Sequence, residues 1–473
     1  MPSGALNAFL RRRMLAYGRR MDLGRMLERS RQGAVQAAIL AAKCSQAYRE
    51  LLREHGVNPA ALGHDTDPAS LPVLTKTNTF GRFSLAELAR PVRAADLADV
   101  LTSSGRGGRS FGFRLTTRKQ HEKSWFDIDL GLQDVFRIDE YPTLLVNCLP
   151  MGVVFRSRAV AVSNVSVRED MACSILRDIG PRFKQTLLCT DPLFIRRLLD
   201  EAQVAGIDWQ ALNTSVIVGE EILVEAQRDY IAARMGIDLD RDSHRLIGSS
   251  YGVGELGLNL LFETRETIRM RRAMRNDSEL AQLLGGKAGG LEMPSIFCFN
   301  PLRSYVEVLN PDADGFGELC ITMLDRHAVI PLPRYATGDL GKVLPREQAV
   351  RAASLACSEV PWLPMVAVRG RIKDRPAGWP SVEAIKELLY RDHAAADRLT
   401  GAFRIWADSA GMVHLTLQAT TETAASARDL HERLTAIFSP GGSMSLVVEI
   451  VTPTAFPWRP TLDYERKFAY VEG

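Results

Sequence analysis

The sequence predicts an α/β protein in which a large N-terminal domain carries parallel sheets flanked by helices and a small α+β domain follows. Three observations predict this. With 473 residues, 46% of them apolar and 7% aromatic, the chain exceeds the roughly 250–300 residues at which a single core stops growing. From about residue 144, short apolar runs alternate with helix-like segments, as in parallel strands joined by crossover helices. After about residue 370 the alternation gives way to strands of period two.

The elements follow in order. Residues 34–55 predict a helix, with Ile39, Leu40, Leu51 and Leu52 as apolar positions and Gly56 as its stop. Pro59, Pro68 and Pro72 then mark an irregular stretch. Strands are expected at 144–149, 186–189, 215–218 and 245–249, with helices at 167–179, 192–205 and 224–235 that each close near a glycine. In the small domain, 403–407, 413–419 and 446–451 read as strands and 424–438 as a helix. Gly370 and Lys373 lie at the junction. No internal repeat and no low-complexity tract is found.

Fifty-nine basic residues against 56 acidic leave a net charge of +3, which provides no global field for nucleic acid. Seven scattered cysteines form neither a C-x-x-C pair nor a disulfide framework, so they are expected to be reduced thiols in a soluble, cytoplasmic protein. No apolar run is long enough to span a membrane, and the N-terminus lacks a signal-peptide core. Eight arginines between Arg11 and Arg31, against Asp22 and Glu28, read as a solvated helix face, or as one that touches a membrane or an acidic partner. The eight histidines form no metal-ligand cluster, and no G-x-S-x-G elbow is present.

The sharpest local feature is Thr102-Ser103-Ser104-Gly105-Arg106-Gly107-Gly108-Arg109-Ser110. Glycines permit close backbone approach, so successive N–H groups can line an anion nest, and serines and arginines add donors for phosphate oxygens. Four segments follow in order: Gly219-Glu220-Glu221, Ser250-Tyr251-Gly252-Val253-Gly254-Glu255, Arg334-Tyr335-Ala336-Thr337-Gly338-Asp339, and Arg369-Gly370-Arg371-Ile372-Lys373-Asp374. This collinear set resembles the core motifs of the adenylate-forming superfamily. Within it, Ser45-Gln46-Ala47-Tyr48-Arg49, Leu71-Pro72-Val73-Leu74-Thr75-Lys76, Phe299-Asn300-Pro301 through Glu307 and Gly317-Glu318-Leu319 resemble phenylacetate-CoA ligase and its relatives.

The resemblance implies an enzyme that activates a small aryl or acyl carboxylic acid as acyl-AMP with ATP and Mg²⁺ and passes it to a thiol, coenzyme A foremost. It implies residues 1–370 as the ATP- and acyl-binding domain and 371–473 as a mobile domain. Ser103, Ser104, Gly105, Arg106, Gly107 and Gly108 would hold phosphates; Gly219, Glu220, Ser250, Tyr251 and Gly252 would line the nucleotide, Tyr251 near adenine. Asp339 would take the ribose hydroxyls, Arg371 ribose or phosphate, and Glu255 the Mg²⁺. Lys467 would be the catalytic lysine and Lys373 the hinge. Arg106 and Gly107 depart from the usual hydroxylated positions, and Gly254 from the usual threonine. Two alternatives stand: transfer to a carrier-protein thiol or an amine, and a silent nucleotide-binding homologue. The acid and the oligomeric state stay open.

Overall fold

Strands covered by helices on both faces must be apolar throughout, and Thr143–Asn147, Gln185–Thr190 and Thr214–Val218 bury nearly every side chain. The computed structural model describes the chain apart from residues 1–3, 104–110, 151, 376–377, 410, 421–431, 433, 435–445, 457–467 and 472–473. These three strands belong to an 11-stranded sheet. One half is parallel: Ala161–Asn164, Thr143–Asn147, Gln185–Thr190, Thr214–Val218 and the first residues of Ile247–Val253. From Ser250 onward that last strand pairs antiparallel with Gly257–Phe262. Ser295–Phe299, Met365–Arg371, Tyr335–Leu344, Gly317–Met323 and Ser304–Leu309 complete the antiparallel half.

Ile247–Val253 is thus the seam where the sheet changes direction, and its downstream end opens onto a cleft. Such a switch in strand order is where α/β sheets leave room for ligands. The seam is braced from behind. Arg228, fully buried on helix Glu225–Met235, binds both Glu225 and Glu263, and Glu263 accepts the Ser249 N–H at 2.8 Å. The expected helices 167–179 and 192–205 form as Glu169–Asp178 and Phe194–Val204.

Two expectations change. The helix expected at 34–55 is two, Leu23–Cys44 and Gln46–Glu54. Ser45 breaks them by adopting extended backbone and accepting the Tyr48 N–H on its hydroxyl at 3.2 Å, as an N-cap serine does. The arginine-rich face is not uniformly solvated either: Arg11 is buried and paired with Asp139, an acidic residue the local sequence window does not contain.

In the small domain Leu399–Ala407 and Val413–Ala419 pair antiparallel, and Leu446–Val451 joins parallel. Most of the helix expected at 424–438 lies outside the described residues. Among the described residues the small domain shares its core with the large one. Phe403, Ile405 and Leu415 share one apolar cluster with Phe194, Leu198 and Ile231 of the large domain. Charged side chains cross the same boundary, with Glu387 accepting the Ala226 N–H at 3.0 Å and Arg234 pairing with Asp397 at 2.9 Å.

Candidate functional site

A cleft of about 1870 Å³ lies beyond the seam, and its walls include Lys76, Ser103, Glu220, the 250–255 segment, Asp339 and Arg371; the motif at 45–49 stands outside it. The Ser/Gly/Arg loop is carried by a hairpin that sequence reading missed, Leu97–Thr102 against Phe113–Thr117. Its one local signal is the β-branched, alternating 113–117 run. Ser104, Gly105, Arg106, Gly107 and Gly108 lie outside the described residues; Ser103 and Gly112 form the neck. The Ser103 N–H donates to the Gly112 carbonyl at 2.9 Å, and the Gly112 N–H donates to the Ser103 hydroxyl at 3.1 Å.

Lys76 was not chosen as a site residue, yet its Nζ donates to the Ser103 hydroxyl at 3.0 Å and lies 3.8 Å from Glu255 Oε1. It reaches the cleft because Leu74 bridges to Tyr335: Leu74 N–H donates to Arg334 O and Ala336 N–H to Leu74 O, both at 2.8 Å. Arg334 fixes that strap by binding the Leu71 carbonyl and pairing with Glu307 at 2.7 Å. The strings around Leu71, Glu307 and Arg334, far apart in sequence, are in contact in space.

Gly254 and Gly112 let the neck meet the seam strand. A Cβ on Gly254 would lie 2.9 Å from Ser103 Cα, and one on Gly112 would overlap the Glu255 side chain. The glycine that departs from the usual threonine thus fills a close approach. Glu255 is buried beside Tyr335, whose hydroxyl is held neutral by burial first and by that carboxylate second.

On the opposite wall, Asp339 is buried and accepts the Tyr251 hydroxyl on Oδ2 at 2.7 Å. Burial and the Asp339 charge push the Tyr251 phenol well above its ordinary range. Arg371 pairs in register with Asp339, its Nε 4.0 Å from Oδ1. Gly338 takes a left-handed φ of 79° within the strand Tyr335–Leu344, where the pairing with the neighbouring strand shifts register, and its N–H is held by Glu318 at 3.1 Å; the Asp339 carboxylate lines the cleft from this irregularity. Tyr251 lies with its ring 6.4 Å from Phe297, and its hydroxyl is committed to Asp339.

Gly219, Glu220 and Glu221 follow the strand Thr214–Val218, with Glu220 at φ 70°. Glu221 joins the two domains: it accepts from Lys386 at 2.6 Å and from the Tyr470 hydroxyl at 2.9 Å. Neither partner was singled out from sequence. Lys467 lies outside the described residues; after it, Phe468 and Tyr470 are buried, and the Tyr470 carbonyl accepts the Ile405 N–H at 2.9 Å. Lys373 sits in the turn Ile372–Asp374 directly after the strand Met365–Arg371. Ser250, Tyr251, Gly252, Asp339 and Arg371 all line the one cleft.

No protein-family model matches the chain, and no curated protein matches it in sequence. Solved structures do. 2-Hydroxyisobutyryl-CoA ligase in the postadenylation state with 2-HIB-AMP is 15% identical with a TM-score of 0.67, over 96% of this chain and 90% of that one. The chain has the fold of an adenylate-forming ligase. The same ligase gives a TM-score of 0.52 in its thioesterification state with 2-HIB-AMP and CoA, at 16% identity over 96% and 90%. Its open conformation also gives 0.52, at 15% identity over 93% and 90%. All seven cysteines are free thiols, and among the described residues no helix is long and apolar enough to cross a membrane.

Proposed function

We propose that the protein activates a carboxylic acid with ATP as acyl-AMP, releasing pyrophosphate, and transfers the acyl group to a thiol, coenzyme A foremost. The observation that carries this reading is the convergence on one cleft of the Ser103 neck, the Ser250–Glu255 segment and the Asp339–Arg371 pair. An ionised carboxylate is acceptor-only, and Asp339 keeps acceptor capacity for both ribose hydroxyls after Tyr251 takes one position. Tyr251 is thereby a positioning residue for Asp339 as well as a cleft wall.

The step is an in-line displacement: a substrate carboxylate oxygen attacks the α-phosphorus, the bond to the bridging oxygen breaks, and pyrophosphate leaves. Its demand is charge neutralisation around fixed geometry. Lys76, hydrogen-bonded to Ser103 at the loop neck, supplies one fixed cation beside the phosphate path. Among the described residues no group of three or more His, Cys, Asp or Glu side chains is arranged to hold a metal. One buried carboxylate at the neck suits a Mg²⁺ that arrives on the nucleotide, because Mg²⁺ is commonly held by one or two carboxylates plus substrate phosphates. Bound there through Glu255, it would neutralise phosphate charge.

Residues 371–473 are proposed as the mobile domain, turning at Lys373 and delivering Lys467. Ion pairs such as Lys386–Glu221 and Arg234–Asp397 stay hydrated when separated, and the turn also has to part the apolar contacts of Phe403, Ile405 and Leu415 with Phe194, Leu198 and Ile231, so the docked arrangement is the favoured one. The higher TM-score against the postadenylation state, 0.67 against 0.52, supports reading the docked arrangement as the one nearer the adenylation step. ATP–pyrophosphate exchange over a panel of aryl and aliphatic acids tests the proposal. Exchange with one class, followed by thioester formation with coenzyme A, is expected; ATP binding without exchange for any acid would overturn it in favour of a silent homologue.

A further inference from the structure

The helix Gly4–Gly18 buries only one side. Arg11 and Leu15 face inward, Arg11 bound to Asp139 and 3.8 Å from Asp129. On the outer side Leu6, Phe9, Leu10, Met14 and Tyr17 are between 42% and 67% exposed. Their spacing is that of one helical stripe. Single exposed apolar residues are ordinary, but five along one face of a 15-residue helix form a patch.

The charges in and beside the stripe are of one sign, with Arg13 rising within it between Phe9 and Tyr17. Arg12, Arg13, Arg19 and Arg20 are exposed, and no acidic residue occurs from Gly4 to Met21. Arg19 reaches Asp134 at 2.8 Å, and Arg13 lies 5.8 Å over the Phe9 ring.

We propose that this helix docks the protein on an anionic lipid surface, lying in the plane of the bilayer with the stripe in the acyl boundary and the arginines on lipid phosphates. Apolar area and basic charge on one helix are the two terms of interfacial binding, and arginine stems can lie along the apolar zone while their heads stay at phosphate level. Charge complementarity chooses this occupant. A second copy packed stripe to stripe would bring two sets of arginines together with no acidic side chain on either helix to pair with them. Met14 also lines the cleft, so the docked face borders its opening.

The test is co-sedimentation of the full chain with phosphatidylcholine vesicles, with and without phosphatidylglycerol, at low and high salt. Binding to the anionic vesicles is expected, weakened by salt, and reduced about tenfold or more by F9S/L10S and by R12E/R13E/R20E. Because these side chains are exposed, both variants should keep the wild-type unfolding temperature. Absence of vesicle binding, binding indifferent to both variants, or a concentration-dependent dimer that F9S/L10S dissolves would each overturn the proposal. None of these outcomes depends on the adenylation reading, which pyrophosphate exchange tests separately.

Discussion

Replacing Gly254 by threonine would install the hydroxyl that the resemblance leads one to expect before Glu255, and the structure predicts that it will weaken the site. The new Cβ would stand 2.9 Å from both Cα and Cβ of Ser103. Non-bonded carbons settle at about 3.5–4.0 Å, so the neck must retreat by roughly 0.5–1 Å. Ser103 is tied by its N–H to Gly112 O at 2.9 Å, by its hydroxyl to Gly112 N–H at 3.1 Å and by Lys76 at 3.0 Å. A shift of that size stretches these bonds toward their working limit. Overpacking of this kind costs about 1–3 kcal/mol, equivalent to a loss of about 5- to 150-fold in ATP affinity if all of it falls on the neck. Calorimetric titration of ATP with Mg²⁺ into the wild type, Gly254→Thr and Gly254→Ala measures this directly. Both variants carry the same Cβ, so both should lose affinity. If Gly254→Thr binds ATP as tightly as the wild type or better, the close-approach argument is wrong.

Other substitutions separate the remaining roles. Asp339→Ala should raise the KM for ATP by about 10- to 100-fold through lost charge-assisted bonds to ribose, and an unchanged KM would remove Asp339 from the nucleotide site. Lys467→Ala should suppress pyrophosphate exchange while sparing thiol capture of a supplied acyl-AMP; equal loss of both half-reactions would count against a mobile catalytic lysine. Glu383, beside Gly370, is raised to about 7 by burial even though Arg375 lies 3.2 Å away. A carboxyl raised in the folded state stabilises fully below its unfolded value, and the contribution is lost as pH rises through about 7. From the ordinary 4.5 this amounts to about 3 kcal/mol, so Glu383→Gln should flatten the fall in unfolding temperature between roughly pH 4.5 and 7. Parallel curves for wild type and variant would show that Glu383 ionises freely in the fold. Asp191, also raised to about 7 by burial, leaves a residual slope in the variant.

Sequence alone determined the parallel half of the sheet and the order of the site motifs. Strands buried on both faces must be continuous apolar runs, and crossover helices must repeat at a legible spacing, so 144–149 and 186–189 could be read directly. Glycine and acidic positions such as Gly338 and Asp339 stand out because left-handed backbone needs the first and a carboxylate supplies the chemistry of the second.

Tertiary structure alone decided which side chains meet. The break at Ser45 turns on a cap competing with helix continuation, a balance of about 1 kcal/mol that apolar periodicity does not register. Lys76 reaches Ser103 only because Leu74, 261 residues before Tyr335, bridges to that residue's strand. Tyr251 and Asp339 are 88 residues apart, as are no two groups that a local pattern could pair. The need for glycine at 254 likewise arises only from Ser103 packed against it. Periodicity records how each segment faces a core; the sheet's change of direction at Ser250 fixes which distant segments face one another, and no local window contains that information.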